Sequence, residues 1–101
     1  MDKERAVEIG RAYIAFLRER GYPVTSAWLF GSYAKGNFTE DSDIDIALFM
    51  ENVGNSFLLQ VELMKLSRHF DTRLEPHPIP SEDAEWSTIG SEAMKYGFRV
   101  A

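Results

Sequence analysis

Apolar residues recur at two distinct periods along the chain, and the change of period divides it into elements. Over residues 2–20, Ala6, Ile9, Tyr13, Phe16 and Leu17 fall at three- and four-residue spacing, which predicts an amphipathic helix. Asp2 is placed to cap it, and Gly21 with Pro23 marks its end. Residues 24–30 predict a strand with Val24, Trp28 and Phe30 on one face. Residues 43–50, DIDIALFM, alternate, with Ile44, Ile46, Leu48 and Met50 on one side and Asp43, Asp45 and Ala47 on the other. The intervening stretch, GSYAKGNFTEDS, is rich in Gly, Ser, Thr and Asn, and a short helix is expected to start near Ser32.

Residues 56–68 predict a second long helix, with Ser56 as its cap. Its apolar residues (Phe57, Leu58, Leu59, Val61, Leu63, Met64 and Leu66) cover more than one face. Such a helix is either sandwiched or presents a surface to a partner or a second copy. Residues 69–75 predict a strand with Asp71, Arg73 and Glu75 on one face, ended by Pro76, Pro78 and Pro80. A helix over 81–96 is expected to start at Ser81 and to bend or break at Gly90. Phe98–Val100 predict a short closing strand. The order is that of a mixed α/β protein with no repeats and no linker, and one domain is expected over residues 1–101.

Composition narrows the class. A chain of 101 residues with 45% hydrophobic and 27% charged residues matches an ordinary globular domain. No apolar run approaches the ~18 residues that cross a bilayer, so no membrane role is expected. The charged start, Met1-Asp2-Lys3-Glu4-Arg5, does not resemble a secretory leader. The absence of cysteine removes thiolate metal sites and a cysteine nucleophile, and agrees with a cytoplasmic location. The net charge of −5, with no basic stripe, disfavours nucleic acid as a partner.

Candidate chemistry gathers in one stretch: Gly31-Ser32, ten residues, then Asp43-Ile44-Asp45. Glycine after a strand permits close approach of the backbone to a ligand. Ser32 adds a hydroxyl where a phosphate could be held. Asp43 and Asp45, two apart on a strand, point to the same side with Cα atoms ~6.5–7 Å apart. Paired carboxylates beside a phosphate site are natural ligands for Mg²⁺, a hard cation, and suit metal-assisted phosphorus chemistry. Singly, each feature is as readily an ordinary turn or a solvated acidic edge.

The segment FGSYAKGNFTEDSDIDIALF, residues 30–49, resembles the signature of the nucleotidyltransferase superfamily that includes the DNA polymerase β-like enzymes. The short chain is similar to the minimal members of that group. The resemblance implies a nucleotidyltransferase fold, a mixed sheet with helices on one face. It implies transfer of a nucleoside monophosphate, AMP from ATP, to a hydroxyl by two-metal Mg²⁺ catalysis. By the same resemblance Gly31 and Ser32 contact the triphosphate, and Asp43 and Asp45 hold one or two ions; Ser42, by its place before Asp43, bonds either to the backbone or to the ligand. A third carboxylate is expected from a later strand. Asp71 is the first choice and Glu75, on the same predicted strand face, the second. Minimal members often work beside a small helical protein of the HEPN class as antitoxins that modify it, so such a partner is expected. The alternative is an inactive nucleotide-binding or protein-interaction module of the same fold.

Remaining polar residues carry weaker expectations. Lys35 reads as solvated rather than as a phosphate contact, and Arg73 either contacts the triphosphate or pairs with Asp71 and Glu75. Tyr33 and Phe38 either stack on a base or cover the loop. His69 and His77 have no partner in the motif and read as structural or surface residues. Gly90-Ser91 repeats the dipeptide without an Asp-x-Asp behind it and is a turn or cap.

Overall fold

The computed structural model describes residues 2–101. The chain runs α1 (Lys3–Glu19), β1 (Val24–Phe30), α2 (Ser32–Lys35), β2 (Ile44–Met50), α3 (Ser56–Ser67), β3 (Leu74–Pro80), a single 3-10 turn (Ser81–Asp83), α4 (Thr88–Tyr96) and β4 (Phe98–Arg99). The strands form one sheet in the order β3-β2-β1-β4. β1 is antiparallel to both β2 and β4, whereas β2 and β3 are parallel. A parallel pair needs a long crossover, and α3 supplies it.

The alternation in β2 decides how the two faces are used. Ile44, Ile46, Leu48 and Met50 point to one side. There they meet Tyr13, Ile14 and Leu17 of α1, Ala27 and Leu29 of β1, and Leu63 of α3 in the main core. Each fully buried side chain of this kind contributes on the order of 1.5–3 kcal/mol. The Tyr13 hydroxyl donates to the Leu63 carbonyl at 2.8 Å, which ties α1 to α3 across the core. Ala47 and Phe49 point to the other side, where Phe30, Ile79 and Ala93 of α4 join them in a smaller cluster. Helices therefore cover both faces, not one as the family resemblance implied. Asp45 lies on this second face.

Several elements differ from the sequence expectation, each for a physical reason. Val24 was expected beside Trp28 and Phe30. A register shift between Val24 and Ser26 inserts a bulge and turns Val24 into the main core with Ala27 and Leu29. The cap of α3 is Asn55, whose side chain accepts from the Leu58 N–H at 3.1 Å, not Ser56. The fourth helix begins at Thr88, capped by Ser87, which accepts from the Gly90 N–H at 3.1 Å. Gly90 does not break it. A Cβ there would stand 2.7 Å from the Ala84 carbonyl, so the glycine permits the close approach of the lead-in to the helix.

The largest difference is β3. Residues 69–73 form the turn before it, and the strand occupies Leu74–Pro80, with the prolines inside. β3 is an edge strand. Glu75, His77 and Ile79 alternate with Pro76, Pro78 and Pro80, so one set of backbone groups faces β2 and the other faces outward. The Pro76 carbonyl accepts from Gln60 Nε2 of α3 at 3.1 Å, on the side away from β2. Prolines at outward positions remove no ladder hydrogen bond, and they leave that edge without N–H donors for another strand.

Candidate functional site

At the end of the sheet where β1 leaves and β2 and β3 begin, Phe30, Asp45 and Glu75 lie side by side in register. Gly31 follows Phe30 with φ +73 and ψ −148, a conformation reserved for glycine. A Cβ on Gly31 would stand 2.5 Å from Asp45 Oδ2. Backbone strain and close approach both require glycine here, and together they bring the Gly31-Ser32 corner against the Asp45 carboxylate. Ser32 is the first residue of α2, whose turn is closed by Gly36 at φ +85.

Asp43 stands exposed immediately before β2. It lies beside Glu75, whose carboxyl is raised above its usual value of about 4.5. Burial is the main cause of that rise, the negative charge of Asp45 adds to it, His77 opposes it, and Asp43 contributes to it. Three acids from two strands and the segment leading into one of them thus meet at one place. His77 joins them: its Nε2 lies 3.4 Å from Asp45 Oδ1 and 3.8 Å from Glu75 Oε1. The imidazole packs edge-on against Phe30, with ring centres 5.2 Å apart.

The other expected residues lie as follows. Asp71 sits three residues before β3 and is engaged by Arg73. Its two oxygens accept from Arg73 Nε at 3.0 Å and Nη2 at 2.8 Å, and its Oδ1 also from the Arg73 backbone N–H at 2.9 Å. These bonds hold the Asp71 carboxyl below its ordinary range. The structure therefore brings Glu75, not Asp71, to Asp43 and Asp45. The reason is the register of β3, which begins at Leu74 and leaves Asp71 in the turn. The Ser42 hydroxyl accepts from the Thr39 N–H at 2.8 Å and shapes the loop entering β2. Lys35 pairs with Glu92 of α4 at 3.0 Å. Tyr33 is buried and stacks on Phe38, with centres 4.6 Å apart, so these rings cover the loop. His69 is exposed.

His77 is the residue that sequence reasoning missed. The signal was present as Glu75-x-His77, a period-two pair like Asp43-x-Asp45, but prolines at alternate positions read as the end of the strand. One donor atom from each of Asp45, Glu75 and His77 lies within 4.8 Å of the others. Two carboxylates and an imidazole at that separation form a donor set suited to a divalent cation; Asp43 stands outside the set, beside Glu75. The site combines a glycine corner packed on the Asp45 carboxylate with side chains able to hold a cation.

Comparison with known proteins agrees with this arrangement. Residues 11–93 match the family model of the nucleotidyltransferase domain. A relative from Methanocaldococcus jannaschii, described as a "Putative protein adenylyltransferase", is 48% identical over 59 residues. That match takes in 57% of this chain and 58% of the relative's length. Among solved structures, a nucleotidyltransferase from Sulfolobus solfataricus, so described provisionally, superposes with TM-score 0.67 at 17% identity. The match covers 85% of this chain and 77% of the other. A toxin–antitoxin crystallised with AMP-PNP superposes with TM-score 0.65 at 23% identity, covering 90% and 72%. At these identities the two structures show a shared fold.

Proposed function

Because the chain belongs to the nucleotidyltransferase domain family, we propose that it transfers a nucleoside monophosphate, AMP from ATP, to a hydroxyl on an acceptor protein. The observation that carries this reading is Asp45, packed against the Gly31 corner and in register with Glu75, with Asp43 beside Glu75. The described relative is an adenylyltransferase by name, which supports the choice of nucleotide. No helix among the described residues is long and apolar enough to cross a membrane.

In this reading Gly31 lets the triphosphate approach the backbone, and the Ser32 hydroxyl donates to a phosphate oxygen. Asp43, Asp45 and Glu75 would hold one or two divalent cations, Mg²⁺ by the family resemblance. Such ions, when bound, neutralise the triphosphate and acidify the acceptor hydroxyl. The acceptor oxygen forms a bond to the α-phosphorus as the α–β phosphoanhydride bond breaks, and pyrophosphate leaves. Glu75 accepts the hydroxyl proton.

The acceptor is a small helical protein of the HEPN type, with this chain as its antitoxin. Support comes from the resemblance of residues 30–49, from the toxin–antitoxin neighbour, and from Phe57 and Leu58 of α3, which stand 70% and 62% exposed. The test is incubation with α-labelled ATP, a divalent cation and such a protein. Label is expected on the partner, and Asp43→Asn or Asp45→Asn should each reduce it at least ~100-fold. Transfer retained by both single variants would overturn the assignment. Nucleotide binding without transfer would favour the interaction-module alternative, for which no observation of the site itself speaks.

A further inference from the structure

We infer that His77 supplies a nitrogen ligand to the cation held by Asp45 and Glu75, and that the site consequently takes Mn²⁺ in preference to Mg²⁺. This rests on the metal-binding reading above and goes beyond it, because the acids alone are a hard oxygen site. The spacing is the first argument. His77 Nε2 stands 3.4 and 3.8 Å from the two carboxylate oxygens. A well-made N–H···O bond is about 2.7–3.2 Å long, so these contacts are long for hydrogen bonds. Ligands about 2.1–2.2 Å from a shared cation, by contrast, stand roughly 3–4 Å from one another.

Presentation is the second argument. Glu75 and His77 project from the same face of β3, one residue apart in the alternation, beside Asp45 on β2. Pro76 and Pro78 flank His77, fix their own φ and confine the residue before each to extended backbone. Phe30 bears edge-on against the ring, and the His77 side chain is only 17% exposed. The nitrogen is thus presented by a stiff strand toward the carboxylates.

Chemistry then sets the metal preference. Mg²⁺ favours carboxylate, phosphate and water oxygens and sheds water reluctantly. Mn²⁺ shares the preference of Mg²⁺ for carboxylate and phosphate oxygens, though it stands lowest of the transition cations in affinity for nitrogen donors. As a transition cation it still gains more from an imidazole ligand than Mg²⁺ does.

The experiment is Mn²⁺ binding to the full chain without nucleotide, followed by electron paramagnetic resonance. Mn²⁺ should bind more tightly than Mg²⁺. Its spectrum should carry nitrogen hyperfine modulation, which changes when the protein is labelled with ¹⁵N-histidine. His77→Gln should abolish the modulation and narrow the Mn²⁺-to-Mg²⁺ preference about tenfold. Bound Mn²⁺ that is weakened by Asp45→Asn yet shows no nitrogen coupling in the wild-type chain would overturn the role of His77 and leave the acidic metal site standing. Binding of neither cation, or binding indifferent to both Asp45→Asn and Glu75→Gln, would overturn the metal reading and this inference with it. The labelled wild-type protein keeps the test decisive even if His77→Gln folds poorly.

Discussion

At the scale of single residues, the site turns on one missing methyl group. Gly31 sits at positive φ and its absent Cβ leaves room for Asp45 Oδ2. Gly31→Ala is expected to cost about 1–3 kcal/mol from backbone strain and to push the Asp45 carboxylate aside. Transfer activity should fall at least ~100-fold, more than the change in unfolding midpoint explains. Asp71 and Glu75 give the contrasting pair. Glu75→Gln should reduce transfer at least ~100-fold, whereas Asp71→Asn should leave it within about threefold, because Asp71 is spent on Arg73.

The Asp71 variant should instead show itself in stability. The carboxyl is held below its free value of 3.8, so the folded state binds that proton less readily than the unfolded state, and stability rises with pH across the interval. The contribution is complete above about pH 3.8 and is lost as pH falls through the lowered folded value. The wild type should exceed Asp71→Asn by about 1 kcal/mol in urea unfolding near neutrality, with the gap closing in acid.

At the scale of elements, what was legible followed from period and caps. The Asp2 cap, β1 over 24–30, the start of α2 at Ser32 and the alternation of β2 all appear in the structure where residue patterns placed them. The Gly-Ser and Asp-x-Asp pieces were legible for the same reason, since each is a short local pattern. Which later acid stands beside Asp45 was not, because placing Asp71 and Glu75 needed the register of β3 against β2. That register is a long-range property, and proline statistics for central strands point the wrong way for an edge strand. The prolines carry a prediction of their own. Replacing Pro78 and Pro80 by Val should keep the fold but restore N–H donors to the outward edge. Light scattering should then give a larger average mass than for the wild type at equal concentration.

At the scale of the whole molecule, the site draws on stability that the rest of the fold provides. The main core, built from α1, α3 and the inner face of the sheet, is continuous and apolar. Against it stand three acids gathered at one end of the opposite face, with Asp45 and Glu75 on adjacent strands. Like charges at neighbouring strand positions cost roughly 0.2–1 kcal/mol, and functional sites commonly carry such a cost. Two opposite shifts should follow. Without metal, Glu75→Gln should melt on the order of 2–5 °C above the wild type, since for a domain of this size each kcal/mol moves the midpoint by about 4–8 °C. With a divalent cation at about a hundred times its dissociation constant, the wild type should gain about 2.7 kcal/mol, a rise on the order of 10 °C, and Glu75→Gln much less. The order of the two midpoints therefore reverses when cation is added. A Glu75→Gln variant that melts below the wild type in chelator would show that Glu75 stabilises the fold through its own neighbours, His77 among them, and that no repulsion is stored there.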